Sequence, residues 1–73
     1  MRRQWTALIA REGEGYFSLC PEWDIASQGE TIEEAWEGLR EALELFFEGA
    51  SEEEIARRFY EEFYVTRLEV EVG

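Results

Sequence analysis

Histidine, lysine and asparagine are absent from this 73-residue sequence, and cysteine, proline and aspartate occur once each, as Cys20, Pro21 and Asp24. One cysteine excludes an intrachain disulfide, and without histidine a zinc site of the Cys/His kind has too few ligands. The missing histidine also leaves Ser18, Ser27, Ser51 and Cys20 without the usual base that would make any of them a nucleophile. No apolar run approaches the roughly eighteen residues that a membrane span needs. The start, Met1-Arg2-Arg3-Gln4-Trp5, is basic but lacks the apolar core of a signal peptide. With a single thiol, a reducing cytoplasm is the expected location.

Negative charge and aromatic residues dominate what is present. The formal net charge is −11, with 45% apolar and 15% aromatic residues. So much apolar content argues for a folded chain. A large acidic excess is the wrong sign for neutralising phosphates, so direct nucleic-acid binding is not expected. It suits solubility and the steering of a basic partner. A chain of this size is one domain, and it buries only about 60% of the surface its unfolded form exposes. Disulfides and zinc being excluded, self-association is the remaining stabilising device.

The residue pattern predicts an α+β fold in the order β-β-β-α-(α)-β, an antiparallel sheet with helices on one face. Residues 4–10 alternate as a strand, with Trp5, Ala7 and Ile9 on one side and Thr6, Leu8 and Ala10 on the other. Glu12-Gly13-Glu14-Gly15 is a hairpin turn, followed by a strand over 16–20. Pro21, which has no amide hydrogen, interrupts the ladder before a short third strand over 25–28. Thr31 and Glu34 have capping-box spacing. Ile32, Ala35, Trp36, Leu39, Ala42, Leu43, Phe46 and Phe47 then form one stripe of a helix over 32–48, with Gly49 as its stop. Ser51 and Glu54 repeat the cap, giving a second helix over about 52–62. Tyr64, Thr66, Leu68, Val70 and Val72 alternate against Arg67, Glu69 and Glu71, which predicts a closing strand over 64–72 with one wet face.

Charge is unevenly placed along this plan. Nine of the eleven excess negative charges fall within residues 30–64, the helical stretch. The sheet segments are nearly neutral, and a neutral exposed sheet face or edge is a contact surface. Aromatic side chains on these segments are otherwise core. The series Glu33, Glu37, Glu41 and Glu44 reads as a solvated helix face, relieved by Arg40. A two-metal nuclease needs several converging carboxylates, and the spacing of Glu12, Glu14, Glu22 and Asp24 does not force convergence. Gly13-Glu14-Gly15 is a turn and no phosphate loop. Neither a catalytic set, a metal site nor a cofactor is expected.

The runs Gln4-Trp5-Thr6-Ala7-Leu8-Ile9, Gly13-Glu14-Gly15-Tyr16 and Cys20-Pro21-Glu22 resemble the opening of HicB-like antitoxin domains. Ser27-Gln28-Gly29-Glu30-Thr31-Ile32-Glu33-Glu34-Ala35 and Leu39-Arg40-Glu41-Ala42 continue the likeness, which covers about residues 4–47. The resemblance implies a truncated ribonuclease-H-like fold; many such proteins add a C-terminal DNA-binding domain, and this sequence departs from that pattern and is expected to be a stand-alone form without one. It implies the antitoxin of a type II toxin-antitoxin pair, which neutralises a small basic RNA-cleaving toxin (HicA-like) by docking over it. It also implies a homodimer or homotetramer. Glu22, Trp23, Gln28, Glu30, Glu33, Glu34, Glu37 and Glu41 are the candidate partner-binding residues, spread over the acidic helix face and the 21–31 loop and strand. The alternative is a solitary self-assembling structural or regulatory domain; a metal-dependent nuclease remnant is a distant third.

Overall fold

The structure, a computed structural model, describes residues 3–73. Its elements are β1 (Leu8–Glu12), β2 (Gly15–Cys20), β3 (Ile25–Gly29), α1 (Ile32–Gly49) and α2 (Glu52–Arg58). The sheet is antiparallel in the order β1-β2-β3. Glu12 pairs with Gly15 across the first turn, where Gly13 has φ 61°. That left-handed conformation is cheap for glycine, which has no Cβ to clash. The second turn brings Trp23 N–H to the Cys20 carbonyl and holds Asp24 at φ 54°. Aspartate is among the few side chains that tolerate this region.

Register decides which side chains meet the helix. Ile9, Ser18 and Ser27 lie in one row across the sheet. Ser18 is fully buried and its hydroxyl donates to the Ala35 carbonyl of α1 at 2.8 Å. A methyl group at Gly29 would stand 2.5 Å from Ala35 N and 2.6 Å from Glu34 Cβ, so the start of α1 lies directly on β3. Gly38 likewise faces Ser27. The helix crosses β3 and β2 and touches β1 least.

Both helix starts follow the expected chemistry. Glu34 N–H donates to Thr31 Oγ1 at 3.1 Å, and the Glu34 carboxylate accepts from Glu30 N–H at 2.9 Å, one residue earlier than the simplest box. Glu54 N–H donates to Ser51 Oγ at 3.1 Å. At its other end α1 stops at Ala50, whose backbone turns extended while its N–H bonds the Phe46 carbonyl. The stop needs no left-handed residue.

The core is small and aromatic. Cys20, Trp23 and Leu39 are buried, and Trp5, Ile25, Leu43, Phe46, Phe47 and Ile55 pack around them. Trp23 is the centre, with its ring 4.8 Å from Phe47, 4.8 Å from Phe59 and 5.3 Å from Trp5. The Phe47 and Trp5 contacts are edge-on and the Phe59 contact is tilted, and edge-on aromatic pairs at these separations are attractive beyond the area they bury.

Several boundaries differ from expectation. β1 runs on to Glu12 and β2 starts at Gly15, so both residues leave the expected turn for the ladder. β3 and α1 each end one residue later, at Gly29 and Gly49, which puts the expected stop Gly49 inside α1. The larger differences reflect contacts that local periodicity does not specify. The first strand begins at Leu8 instead of residue 4, because Trp5 enters the aromatic cluster and Thr6 N–H bonds the Glu22 carboxylate instead of a ladder. The second helix ends at Arg58 instead of 62. There Arg58 donates to the Trp23 and Asp24 carbonyls, and Tyr60 N–H donates to the Glu22 carbonyl at 2.8 Å. The expected closing strand over 64–72 pairs with nothing in the described chain, and its residues are exposed. Alternation specifies two faces for a segment but supplies no edge to pair with.

Candidate protein-docking surface

Of the residues picked out on sequence grounds, Trp23 lies in the core and Glu22 is half-buried, with its carboxylate engaged within the chain. Trp23 is 3% exposed. Glu22 accepts from Thr6 N–H at 2.9 and 3.1 Å, from Thr6 Oγ1 at 2.8 Å and from the Cys20 thiol at 3.2 Å. Burial pushes the Glu22 pKa up, but the hydrogen bonds from Thr6, the local backbone and Cys20 outweigh it and leave the carboxyl below its ordinary range. The same contact works the other way on the thiol. Burial first, then the Glu22 carboxylate as acceptor and as charge, push Cys20 up to about 11. Such a thiol stays protonated near neutrality and is a poor nucleophile. Glu22 is therefore a latch that ties the approach to β1 onto the β2–β3 turn.

Gln28, Glu30, Glu33, Glu34, Glu37 and Glu41 are exposed. Glu34 is committed to the cap of α1. Glu37 pairs with Arg40, which also reaches Glu44 at 2.9 Å. The Arg40 guanidinium holds the Glu37 carboxyl below its usual range, and Glu37 in turn raises Arg40. Glu30, Glu33 and Glu41 stand along the outward side of the β3–α1 corner and helix, with no ion pair recorded to them among the described residues. An exposed row of this kind sets the local field more than it fixes a geometry.

The neutral sheet face expected as a contact surface is the other half, and strand register fixes its residues. Opposite α1, the sheet presents Leu8 and Ala10 of β1, Phe17 and Leu19 of β2, and Ala26 and Gln28 of β3, as neighbours in register. Neither helix covers this face: α1 packs on the opposite side, where Ser18 bonds Ala35 and Gly38 faces Ser27, and α2 makes no substantial contact with the strands. Ala10, Ala26 and Gln28 are exposed on it and Leu8, Phe17 and Leu19 half-buried. Glu12, paired with Gly15 at the margin, is the one charged residue of the strands on that side. A solvated sheet face ordinarily alternates to polar residues. This one does not, and a contiguous uncharged apolar patch marks a contact site. The signal was present in the uncharged alternation of both faces of the first two strands, but nothing in it tells which face the helix takes.

A cleft of about 950 Å³ opens elsewhere, lined by Arg3, Trp5, Trp23, Leu43, Phe47 and Phe59 among others. The indole N–H of Trp23 is buried without a hydrogen-bond partner. No group of three or more Cys, Asp or Glu side chains able to hold a metal gathers among the described residues. No helix among them is long and apolar enough to cross a membrane. Comparison with protein-family models, with curated proteins and with solved structures returns no match.

Proposed function

We propose that this chain is a non-catalytic protein-binding module that acts as the antitoxin of a type II pair in the cytoplasm. Its partner is a small basic RNA-cleaving protein, HicA-like in chemistry, which it neutralises by docking over the catalytic surface. The observation that carries this reading is the partly exposed, uncharged sheet face opposite α1, formed by Leu8, Ala10, Phe17, Leu19 and Ala26. The acidic side chains at Glu30, Glu33 and Glu41 lie on the same molecule. An apolar patch supplies contact energy, and a field of opposite sign speeds encounter with a basic protein. The likeness of residues 4–47 to HicB-like antitoxins points the same way.

The direct experiment measures RNA cleavage by a small basic HicA-like ribonuclease, with and without an equimolar amount of the chain. Cleavage is expected to stop at a one-to-one ratio and to resume with Phe17→Asp/Leu19→Asp. Cleavage that continues unchanged at tenfold excess of the wild-type chain would overturn the proposal. The alternative, self-assembly without a toxin, is favoured by a separate observation, the exposed apolar residues of the 64–72 segment.

A further inference from the structure

We infer that residues 64–72 form an exchanged strand that docks beside β1 of a second copy of this chain, against the flank of α1 that carries Ile32 and Trp36. The inference is independent of any toxin partner. Three observations converge on it.

The first is the segment itself. Leu68 and Val72 are 86% and 88% exposed, and Val70 shares their alternate-residue face. Alternation of apolar residues with Arg67, Glu69 and Glu71 is the pattern of a strand with one buried face. Nine residues at about 3.3 Å each span roughly 30 Å, more than enough to cover a five-residue edge strand.

The second is a vacant seat of matching shape. β1 is an edge of the sheet, with unpaired backbone groups on its outer side. The helix is set toward β3 and leaves the β1 side thinly covered. At 100° per residue, Trp36 falls on the same flank of α1 as Leu43 and Phe47. Phe47 stacks on Trp5, on the approach to β1, which identifies that flank as the β1 side. Ile32 and Trp36 are each 50% exposed there, and Ile9 of β1 is half-buried beneath. A strand added to β1 would place one apolar face under these side chains.

The third is the scale of the uncovered surface. A folded monomer of 8.6 kDa should expose about 4,700 Å² by the scaling of area with mass, whereas this chain exposes 6472 Å². The radius of gyration is 14.4 Å and the longest dimension 47 Å, against about 11 Å expected for the radius of a compact chain of this length. Two such chains together carry about 3,500 Å² of excess, which falls in the range that obligate homodimer interfaces bury, about 2,000–5,000 Å² in total. Because Tyr60 N–H is fixed to the Glu22 carbonyl, the arm leaves the body at a defined point. Reciprocal exchange of identical arms closes on a two-fold axis, and a second copy supplies the same seat.

Light scattering on the full chain after size exclusion, at tens of micromolar, is expected to give twice 8.6 kDa. Leu68→Glu/Val70→Glu and, separately, Trp36→Glu are expected to convert the dimer to monomer with the helical circular dichroism at 222 nm retained. An isotope-filtered NOE experiment on an equimolar mixture of carbon-13-labelled and unlabelled chain should show contacts between Leu68 or Val70 methyls and the Trp36 ring or Ile9. A monomeric wild-type chain, a dimer insensitive to the arm variant, or arm contacts confined within one copy would each overturn the inference.

Discussion

Glu22 and Cys20 illustrate how a half-buried side chain that looks like a contact residue can be engaged within its own chain. The carboxylate takes hydrogen bonds from Thr6 and from the Cys20 thiol, so each group has shifted the other. Replacing Glu22 by Gln keeps the shape but weakens the acceptor for two Thr6 donors. A loss of about 1–3 kcal/mol in unfolding free energy is expected, read from urea denaturation. The sign of the pH dependence follows from each shift. Glu22 has a lowered pKa when folded, so its contribution is present above the ordinary carboxylate range and disappears as pH falls through the folded value. The thiol holds its proton more tightly when folded, with its pKa raised from 9.0 to about 11. Its contribution is complete below pH 9 and is lost between about pH 9 and 11. Urea midpoints compared for the wild type and Cys20→Ala across that window should therefore differ in slope. Parallel profiles would show that the thiol does not ionise late.

Among the elements, α1 was the most legible. Its cap, its apolar stripe and its length all follow from residues 31–49, because each depends on neighbours within four positions. Thr31→Ala removes the hydroxyl that Glu34 N–H uses and should cost about 1 kcal/mol, measured by thermal denaturation. Gly29→Ala should be worse. Its Cβ would meet backbone at 2.5 Å, forcing α1 off β3, and a loss of at least about 2 kcal/mol is expected, in the range of overpacked cores. What the sequence pattern leaves open is contact between distant segments. Nothing local to residues 4–7 says that Trp5 leaves the strand for an aromatic cluster, or that Thr6 bonds a carboxylate sixteen residues away. The early end of α2 has the same origin, in Arg58 and Tyr60 reaching the β2–β3 turn. The candidate site was half readable: its acidic residues stand where helical spacing places them, whereas the uncovered sheet face depends on which side α1 chooses.

At the scale of the whole molecule, the chain has a thin aromatic core, a helix-covered sheet face and one that no helix covers, and an apolar arm without a partner. The docking function we propose would use the sheet face opposite α1, and the exchange we infer would use the arm. A charge-steered encounter and an apolar contact respond differently to salt, so the proposed contributions separate on varying it. The central claim is tested most directly by titration calorimetry of the small basic RNA-cleaving partner into this chain at 50 and 500 mM salt. The expected result is saturable one-to-one binding whose affinity falls with salt, is weakened by Glu33→Lys/Glu41→Lys mainly at 50 mM, and is abolished by Phe17→Asp/Leu19→Asp at both. Binding that survives the Phe17 and Leu19 changes, or no binding at tens of micromolar at either salt, would contradict it.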